Sequence, residues 1–195
     1  MAVAEVDTCP IALVRPSVDG LDGYVAALRR GWSPDNIRGK VAAEEHLARI
    51  DRDAEAFVAL LDDPHARGAP VTLPDGSTVP RLPGFVRWIS DGEFCGSIAL
   101  RWQVGTSTLP PYVLGHIGYA IVPWKRGRGY ATEALRLLLP EAWAVGLEYV
   151  ELVTDPDNIP SQKVIQANGG KLIERFQEPA AFGGNEALRW RIAAA

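Results

Sequence analysis

The segment from residue 114 to 146 combines a strand, a cationic turn and a helix in immediate succession. The run "LGHIGYAIVP" is apolar and β-type, whereas "YATEALRLLLPEAWAVG" has apolar residues at helical spacing and ends at a glycine. Between them lies a turn of three cations and two glycines: Lys125, Arg126, Arg128, Gly127 and Gly129. Such a turn leaves backbone N–H groups unpaired at the positive end of a helix, which predicts an anion site.

The remaining segments surround this unit with further strands and helices. In chain order, the sequence predicts a strand at 11–16, helices at 21–31 and 41–63, a Pro- and Gly-rich loop at 64–84, a hairpin around Asp91-Gly92 at 85–102, a strand at 147–155, a helix at 159–170, and β-type runs at 171–177 and 187–193. This order predicts a mixed α/β fold in which helices flank a sheet. Because no repeat or linker interrupts it, we expect a single domain over residues 1–195.

Composition restricts the partners and the compartment. The formal net charge is −4, whereas a nucleic-acid-binding domain normally carries a basic face, so we expect no nucleic-acid partner. Apolar runs stop short of the roughly 20 residues of a membrane span, and the N-terminus lacks a basic region followed by an apolar one, which predicts a cytoplasmic protein. Cys9 and Cys95 are expected to be reduced thiols. Glu44, Glu45 and His46 point in different directions on a helix, so no metal site is expected.

Two familiar phosphate-binding loops do not fit the turn. The P-loop pattern G-x-x-x-x-G-K-[ST] is absent, and the dinucleotide pattern G-x-G-x-x-G lacks its third glycine because Thr132 occupies that position. What fits is R-x-x-G-x-A, from Arg126 to Ala131. The other interpretation of the turn is a plain helix start with solvated arginines.

With this pattern the sequence resembles the GNAT superfamily of acyl-CoA-dependent N-acetyltransferases, in which [QR]-x-x-G-x-[GA] wraps the CoA pyrophosphate. "GHIGYAIVP" resembles the central strand of that superfamily, and "TDPDNIPSQKVIQANGGKL" resembles its second conserved block. The resemblance covers residues 112–175 clearly and 85–195 more loosely. "GHIGYAI" and "NGG" also resemble a bacterial subgroup of predicted acetyltransferases.

The resemblance implies a mostly antiparallel twisted sheet whose central strands splay apart to form the acyl-CoA cleft. Residues 85–195 would form the acyl-CoA-binding core, and residues 1–84 would supply a strand, helices and a loop on the acceptor side. The implied acetyl-CoA-binding residues are Tyr119, Ile121 and Val122 on the central strand, Arg126, Gly127, Arg128, Gly129, Tyr130 and Ala131 in the turn, and Asn158 and Ser161 in the second block.

The transfer requires an amine that has lost its proton. Many members carry a glutamate where this sequence has His116, so we expect His116 to be the base; the other interpretation is a strand histidine turned toward the interior. The tyrosine usual seven residues after the asparagine is here Ile165, which leaves Tyr119 and Tyr130 as proton donors. A backbone N–H near Ile121 would stabilise the oxyanion.

The sequence therefore predicts an acetyl-CoA-dependent N-acetyltransferase that acts on a primary amine by direct attack on the thioester, without a metal. The acceptor would be a small molecule or a protein N-terminus, and the pattern does not choose between them. The resemblance also makes a homodimer plausible. The alternative is a non-catalytic acyl-CoA-binding or sensing module, which the isoleucine at position 165 favours.

Overall fold

The computed structural model describes residues 11–73 and 75–194. The strands are β1 (Ala12–Val14), β2 (Asp62–Asp63), β3 (Val71–Thr72), β4 (Thr78–Val79), β5 (Gly84–Ser90), β6 (Phe94–Arg101), β7 (Ile117–Ile121), β8 (Tyr149–Thr154), β9 (Lys171–Gln177) and β10 (Glu186–Ala193). The helices are α1 (Leu21–Arg29), α2 (Gly39–Arg52), α3 (Ala54–Ala59), α4 (Tyr130–Ala144) and α5 (Ile159–Ala167).

Two antiparallel sheets meet between β7 and β8. The first has the order β1-β5-β6-β7 with β2 beside β5, and the second has the order β8-β10-β9; β3 and β4 form a separate small hairpin. Helix α4 connects β7 to β8, but these two strands share no ladder. They are joined just before β7, where the His116 N–H donates to the Glu151 carbonyl at 2.7 Å. The predicted mixed α/β fold with antiparallel sheets and flanking helices is confirmed.

Successive residues of β7 face two different helical layers, as the two-residue period of a strand requires. Ile117 and Ile121 join the core formed with α4, the second sheet and Ile165 of α5. Ala120 and Val122 join a second core under α1, α2 and α3. The end of the central strand at Ala120 and Ile121 is thus covered on both faces, whereas Gly118 is exposed, and the free edge of the strand is the one that faces β8.

The hairpin predicted around Asp91-Gly92 forms between β5 and β6. The helix predicted over 41–63 is interrupted at Asp53, whose extended backbone (φ −163°) ends α2 and whose carboxylate accepts the Ala56 N–H at 2.9 Å to begin α3. Helix α4 continues through Pro140. The prediction for Cys9 lies outside the described residues. No helix in the described ranges is both long and apolar enough to cross a membrane.

Candidate active site

The turn before α4 exposes the start of that helix. Gly127 and Gly129 have φ angles of 75° and 77°, a region that residues with a side chain rarely adopt, and Gly129 precedes the helix without any side-chain cap. A Cβ atom on either glycine would meet no other atom within 4 Å, so both glycines face open space. Arg126 and Arg128 are exposed beside them. Uncapped N–H groups, the positive end of a 15-residue helix and two arginines therefore lie together at one accessible turn.

Lys125, the first cation of the turn, has a different role. Its ammonium is buried and lies 2.7 Å from Asp91 Oδ1 and 3.0 Å from Glu93 Oε2, so it ties the turn to the tip of the β5–β6 hairpin. The Tyr130 hydroxyl donates to Asp91 Oδ2 at 2.7 Å. Burial opposes ionisation of Asp91, but the hydrogen bonds from Lys125 and Tyr130 outweigh it and hold the pKa of Asp91 well below its usual value. We refer to Asp91, Glu93, Lys125 and Tyr130 as the Asp91 network.

Two side chains lie behind the turn: Tyr130 of the network itself, and Cys95. Tyr130 is only 8% exposed and its hydroxyl is bonded to Asp91, so its side chain is not available to a ligand at the start of α4. Cys95 is completely buried, and its thiol donates to the Glu93 carbonyl at 3.3 Å. Burial, reinforced by the hydrogen bond to Asp91, raises the pKa of Cys95 to about 11. The side chains of Asp91, Lys125 and Tyr130 therefore support the turn from behind, whereas the Glu93 side chain is 82% exposed.

The edge of β7 that faces β8 presents two carbonyl groups. The Tyr119 carbonyl accepts from the Asn36 side-chain amide at 3.3 Å, and the Ile121 carbonyl accepts from Arg126 Nε at 3.2 Å. Val122 differs, because its N–H donates to the Cys95 carbonyl of β6 at 2.9 Å. The prediction that Val122 offers backbone partners to a ligand in the gap therefore fails for its N–H. Asn36 was missed because its loop lies 83 residues away in the sequence.

The two residues predicted from the second block lie at the start of α5. Asn158 caps the helix by accepting the Ser161 N–H at 3.2 Å. Ser161 Oγ lies 2.7 Å from the Tyr119 hydroxyl, so the Tyr119 side chain spans from β7 to α5. Burial raises the pKa of Tyr119 to about 12, and the bond to Ser161 partly opposes this. Ile165 is completely buried in the core and cannot act at the cleft.

The structure does not support His116 as the base. Its ring is completely buried, and Nδ1 accepts the backbone N–H of Glu151 at 2.9 Å. Because a neutral imidazole has only one lone pair in the ring plane, Nε2 must carry the proton, and no nitrogen remains to accept one from an amine. Burial also lowers the pKa of His116 to about 4. His116 instead joins the two sheets, in agreement with the other interpretation of this residue.

The segment Glu44 to His46 of α2 does not form a cluster. Glu44 and Glu45 are exposed and pair with Lys40 and Arg38, respectively. His46 points elsewhere, and its Nδ1 bonds to the Tyr24 hydroxyl at 2.7 Å. Within the ranges that the structure describes, no group of three or more His, Cys, Asp or Glu side chains converges in an arrangement suited to a metal ion.

Several solved structures share this fold at low sequence identity. One is the microcin C7 self-immunity acetyltransferase MccE in complex with acetyl-CoA and AMP (TM-score 0.61, 12% identity, 95% of this chain and 93% of that chain covered). Another is a putative ribosomal-protein-serine acetyltransferase from Vibrio cholerae (TM-score 0.58, 16% identity, 97% of both chains covered). A third is RimL, a ribosomal L7/L12 alpha-N-protein acetyltransferase in complex with CoA (TM-score 0.60, 13% identity, 98% of both chains covered). At these identities the similarity shows the fold alone.

The sequence itself identifies the family. No curated protein matches the chain significantly. The family described as "Acetyltransferase (GNAT) domain" matches residues 46–171, well over half of the chain, and this range includes the exposed turn, the edge of β7 and the start of α5. The chain therefore belongs to the GNAT family of acetyltransferases.

Proposed function

We propose that this protein transfers an acetyl group from acetyl-CoA to an α-amino group, by direct attack of the amine on the thioester. The observation that carries the proposal is the exposed turn of Gly127 and Gly129 at the start of α4, directly after the strand whose edge faces the gap between the sheets. A protein of formal charge −4 binds an anionic nucleotide best where positive charge is concentrated locally, as it is at this turn.

The pyrophosphate of CoA is assigned to the N–H groups at the start of α4, from Gly127 to Ala131, with Arg126 and Arg128 beside them. Arg126 Nε already donates to the Ile121 carbonyl, so the same side chain can hold the end of β7 and reach an anion at the turn. The amide-containing pantetheine arm is assigned to the edge of β7, where the Tyr119 and Ile121 carbonyls now accept from side chains. Ser161 reaches β7 through its bond to the Tyr119 hydroxyl, and Asn158 caps the same helix, so both are assigned to the border of this gap.

The protonation state of the acceptor limits its chemical class. With the one lone pair of His116 engaged by a backbone N–H, the amine has no histidine base at this position. At neutral pH roughly a tenth of an α-amine is uncharged, whereas only about one lysine-type amine in two thousand is. An amine of low pKa therefore needs little assistance from a base to lose its proton, which favours an α-amine such as a protein N-terminus. RimL, an alpha-N-protein acetyltransferase of ribosomal L7/L12, and the putative ribosomal-protein-serine acetyltransferase from Vibrio cholerae are consistent with such an acceptor.

The Tyr119 hydroxyl is the proton donor that we assign to the departing CoA thiolate. It is partly buried, lies at the gap between the sheets and is bonded to Ser161 Oγ at 2.7 Å. Its raised pKa keeps it protonated at neutral pH, as a donor requires. Tyr119 thus supplies from β7 the group that Ile165, buried in α5, cannot supply.

The test measures binding and turnover separately. Calorimetric titration with acetyl-CoA gives the affinity, and release of free CoA thiol is then measured with short peptides bearing a free N-terminus and with N-terminally blocked peptides bearing a lysine. Saturable binding and faster release with the free N-termini are expected. Absence of acetyl-CoA binding would overturn the assignment of the turn, and equal rates for both peptide classes would overturn the α-amine preference.

A non-catalytic acyl-CoA-binding module is the second candidate. The observation in its favour is that His116 is engaged in joining the sheets and Ile165 is core, so neither can perform acid–base chemistry. This candidate predicts acetyl-CoA binding without thiol release for any acceptor. Amine-dependent release by the wild-type protein, reduced by Tyr119→Phe, would exclude it.

A further inference from the structure

Arg101, the last residue of β6, is a cation that the function described so far does not use. Its backbone N–H donates to the His116 carbonyl at 2.9 Å, which fixes the end of β6 beside the central strand. Its neighbours Leu100 and Trp102 belong to the core on the α4 side of the sheet. Because side chains alternate along a strand, the Arg101 side chain lies on the opposite face, the face of α1, α2 and α3.

The guanidinium lies over the central strand. Arg101 Nη2 is 3.7 Å from the point that a Cβ atom of Gly118 would occupy. Gly118 is exposed and pairs with Ala99 of β6, so two small residues form the floor beside the guanidinium. Since Ala120 and Val122, further along β7, are buried under the helices, the open part of this face begins at Gly118.

Arg101 forms no ion pair with any of residues 11–73 and 75–194, since none of their carboxylates approaches its side chain within 4.0 Å. Asp35 interacts with it only at longer range, and Asp35 Oδ1 already accepts the N–H groups of Ile37 and Arg38 at 2.8 and 2.9 Å. The side chain is exposed, yet enough protein surrounds its guanidinium to lower its pKa by desolvation. An exposed guanidinium that has no ion pair with these residues and lies over Gly118 is available to a ligand.

The position of Arg101 separates it from the turn assigned to pyrophosphate. Gly118 lies three residues before Ile121, which is about 10 Å along the strand. It is adjacent to Tyr119, whose carbonyl faces the gap and is contacted by Asn36, the neighbour of Asp35. The guanidinium is therefore beside the middle of the central strand, on the side of the α1–α2 loop, rather than beside the start of α4.

We propose that Arg101 binds an anionic group of the acceptor, so that the substrate is an α-amine with a carboxylate or phosphate close to it. This inference rests on the proposed function, because it concerns the acceptor of that same reaction. A planar guanidinium can donate two parallel hydrogen bonds to a carboxylate or phosphate, and the floor of Ala99 and Gly118 leaves space for the group. The anionic group can belong to an acidic second residue of a peptide or to a small phosphorylated α-amine.

The test compares acceptors that differ only in the anion. Amidated tripeptides Ser-Asp-Ala and Ser-Asn-Ala represent the peptide source, and O-phosphoserine amide and serine amide represent the small-molecule source, so that all four acceptors carry an α-amine. For each pair, kcat/KM is measured by thiol release, and acceptor binding to the CoA complex is measured by calorimetry. The variants are Arg101→Gln and, as a matched control, Arg175→Gln, which also removes one positive charge but lies on β9, at the edge of the second sheet.

Wild-type protein is expected to prefer the anionic member of at least one pair by about 10- to 100-fold, the effect of a hydrogen bond to a charged group. Arg101→Gln should abolish that preference while leaving the acetyl-CoA Kd unchanged, and Arg175→Gln should preserve it. Which pair shows the preference identifies the source. An unchanged preference in Arg101→Gln, a preference for the neutral members, or acetyl-CoA binding without binding of either anionic acceptor would overturn the proposal. Failure of the wild-type protein to bind acetyl-CoA would instead overturn the proposed function.

Discussion

Replacement of Gly129 by alanine separates the role of the turn in ligand binding from its role in stability. Gly129 has a φ angle of 77°, and an added Cβ atom would meet nothing within 4 Å. The cost of Gly129→Ala is therefore backbone strain without steric overlap. Gly31, at the end of α1, has a φ angle of 87° and equally open surroundings, so Gly31→Ala is a matched control far from the turn in the sequence.

The magnitude follows from the strain of a left-handed residue that carries a Cβ atom, about 1–2 kcal/mol. For a chain of 195 residues this corresponds to a decrease in Tm of about 2–8 °C for each variant. Only Gly129→Ala alters the array of N–H groups at the start of α4. If this array binds the pyrophosphate, loss of one or two charge-assisted hydrogen bonds should weaken acetyl-CoA binding by about tenfold or more.

Calorimetry with two ligands completes the experiment. Acetyl-CoA contains the pyrophosphate, whereas S-acetylpantetheine presents the same thioester arm without it. Gly129→Ala should lose affinity for acetyl-CoA and retain its affinity for S-acetylpantetheine, and Gly31→Ala should retain both. If the two variants lose similar stability and bind acetyl-CoA equally well, the pyrophosphate does not lie at this turn and the reasoning is refuted.

Three further predictions concern the groups behind and beside the turn. Asp91→Ala should lower the free energy of unfolding in urea by about 3–5 kcal/mol, because it leaves the buried Lys125 ammonium poorly paired. The double variant Asp91→Ala, Lys125→Met should recover part of this stability, and a double variant no more stable than Asp91→Ala would contradict the network. The pKa of His116 is about 4 in the folded protein and 6.5 ordinarily, so the unfolded chain binds the proton more tightly and the free energy of unfolding should fall by roughly 3 kcal/mol as the pH falls from 6.5 to 4. His116→Gln should reduce this dependence of stability on pH, and an unchanged dependence would contradict the buried ring. Tyr119→Phe should lower kcat with an unchanged acetyl-CoA Kd, and wild-type turnover would contradict its role as proton donor.

Local patterns in the sequence predicted much of the architecture. The Asp91-Gly92 pair predicted the β5–β6 hairpin, and the glycines at 127 and 129 predicted a turn before a helix, in which both glycines have positive φ angles. These features depend on residues that are neighbours in the chain, so single-sequence reasoning can identify them. The break at Asp53 was also predictable, because an aspartate that caps the following helix is a local signal. It was missed because apolar residues continue at helical spacing on both sides of it.

Contacts between distant segments could not be predicted in this way. Lys125 was grouped with the exposed arginines because nothing near it in sequence indicates that Asp91, 34 residues earlier, neutralises it. His116 was assigned to catalysis because its neighbours in the sequence do not reveal its burial. The residue that engages its ring, Glu151, comes 35 residues later and belongs to the other sheet. Charge and residue type are properties of the sequence, but whether a group is paired or free is decided by packing.

The burial of Cys95 affects how the reaction can be followed. Its thiol has no solvent exposure and a pKa raised to about 11, so at neutral pH it is neither accessible nor ionised to the thiolate that reacts with aromatic disulfide reagents. In a Cys9→Ser variant, the colour developed by such a reagent would report CoA alone while the protein stays folded. The same reagent added without acetyl-CoA would then label Cys95 only in molecules that have opened, so one chromophore would measure turnover in the first case and unfolding in the second.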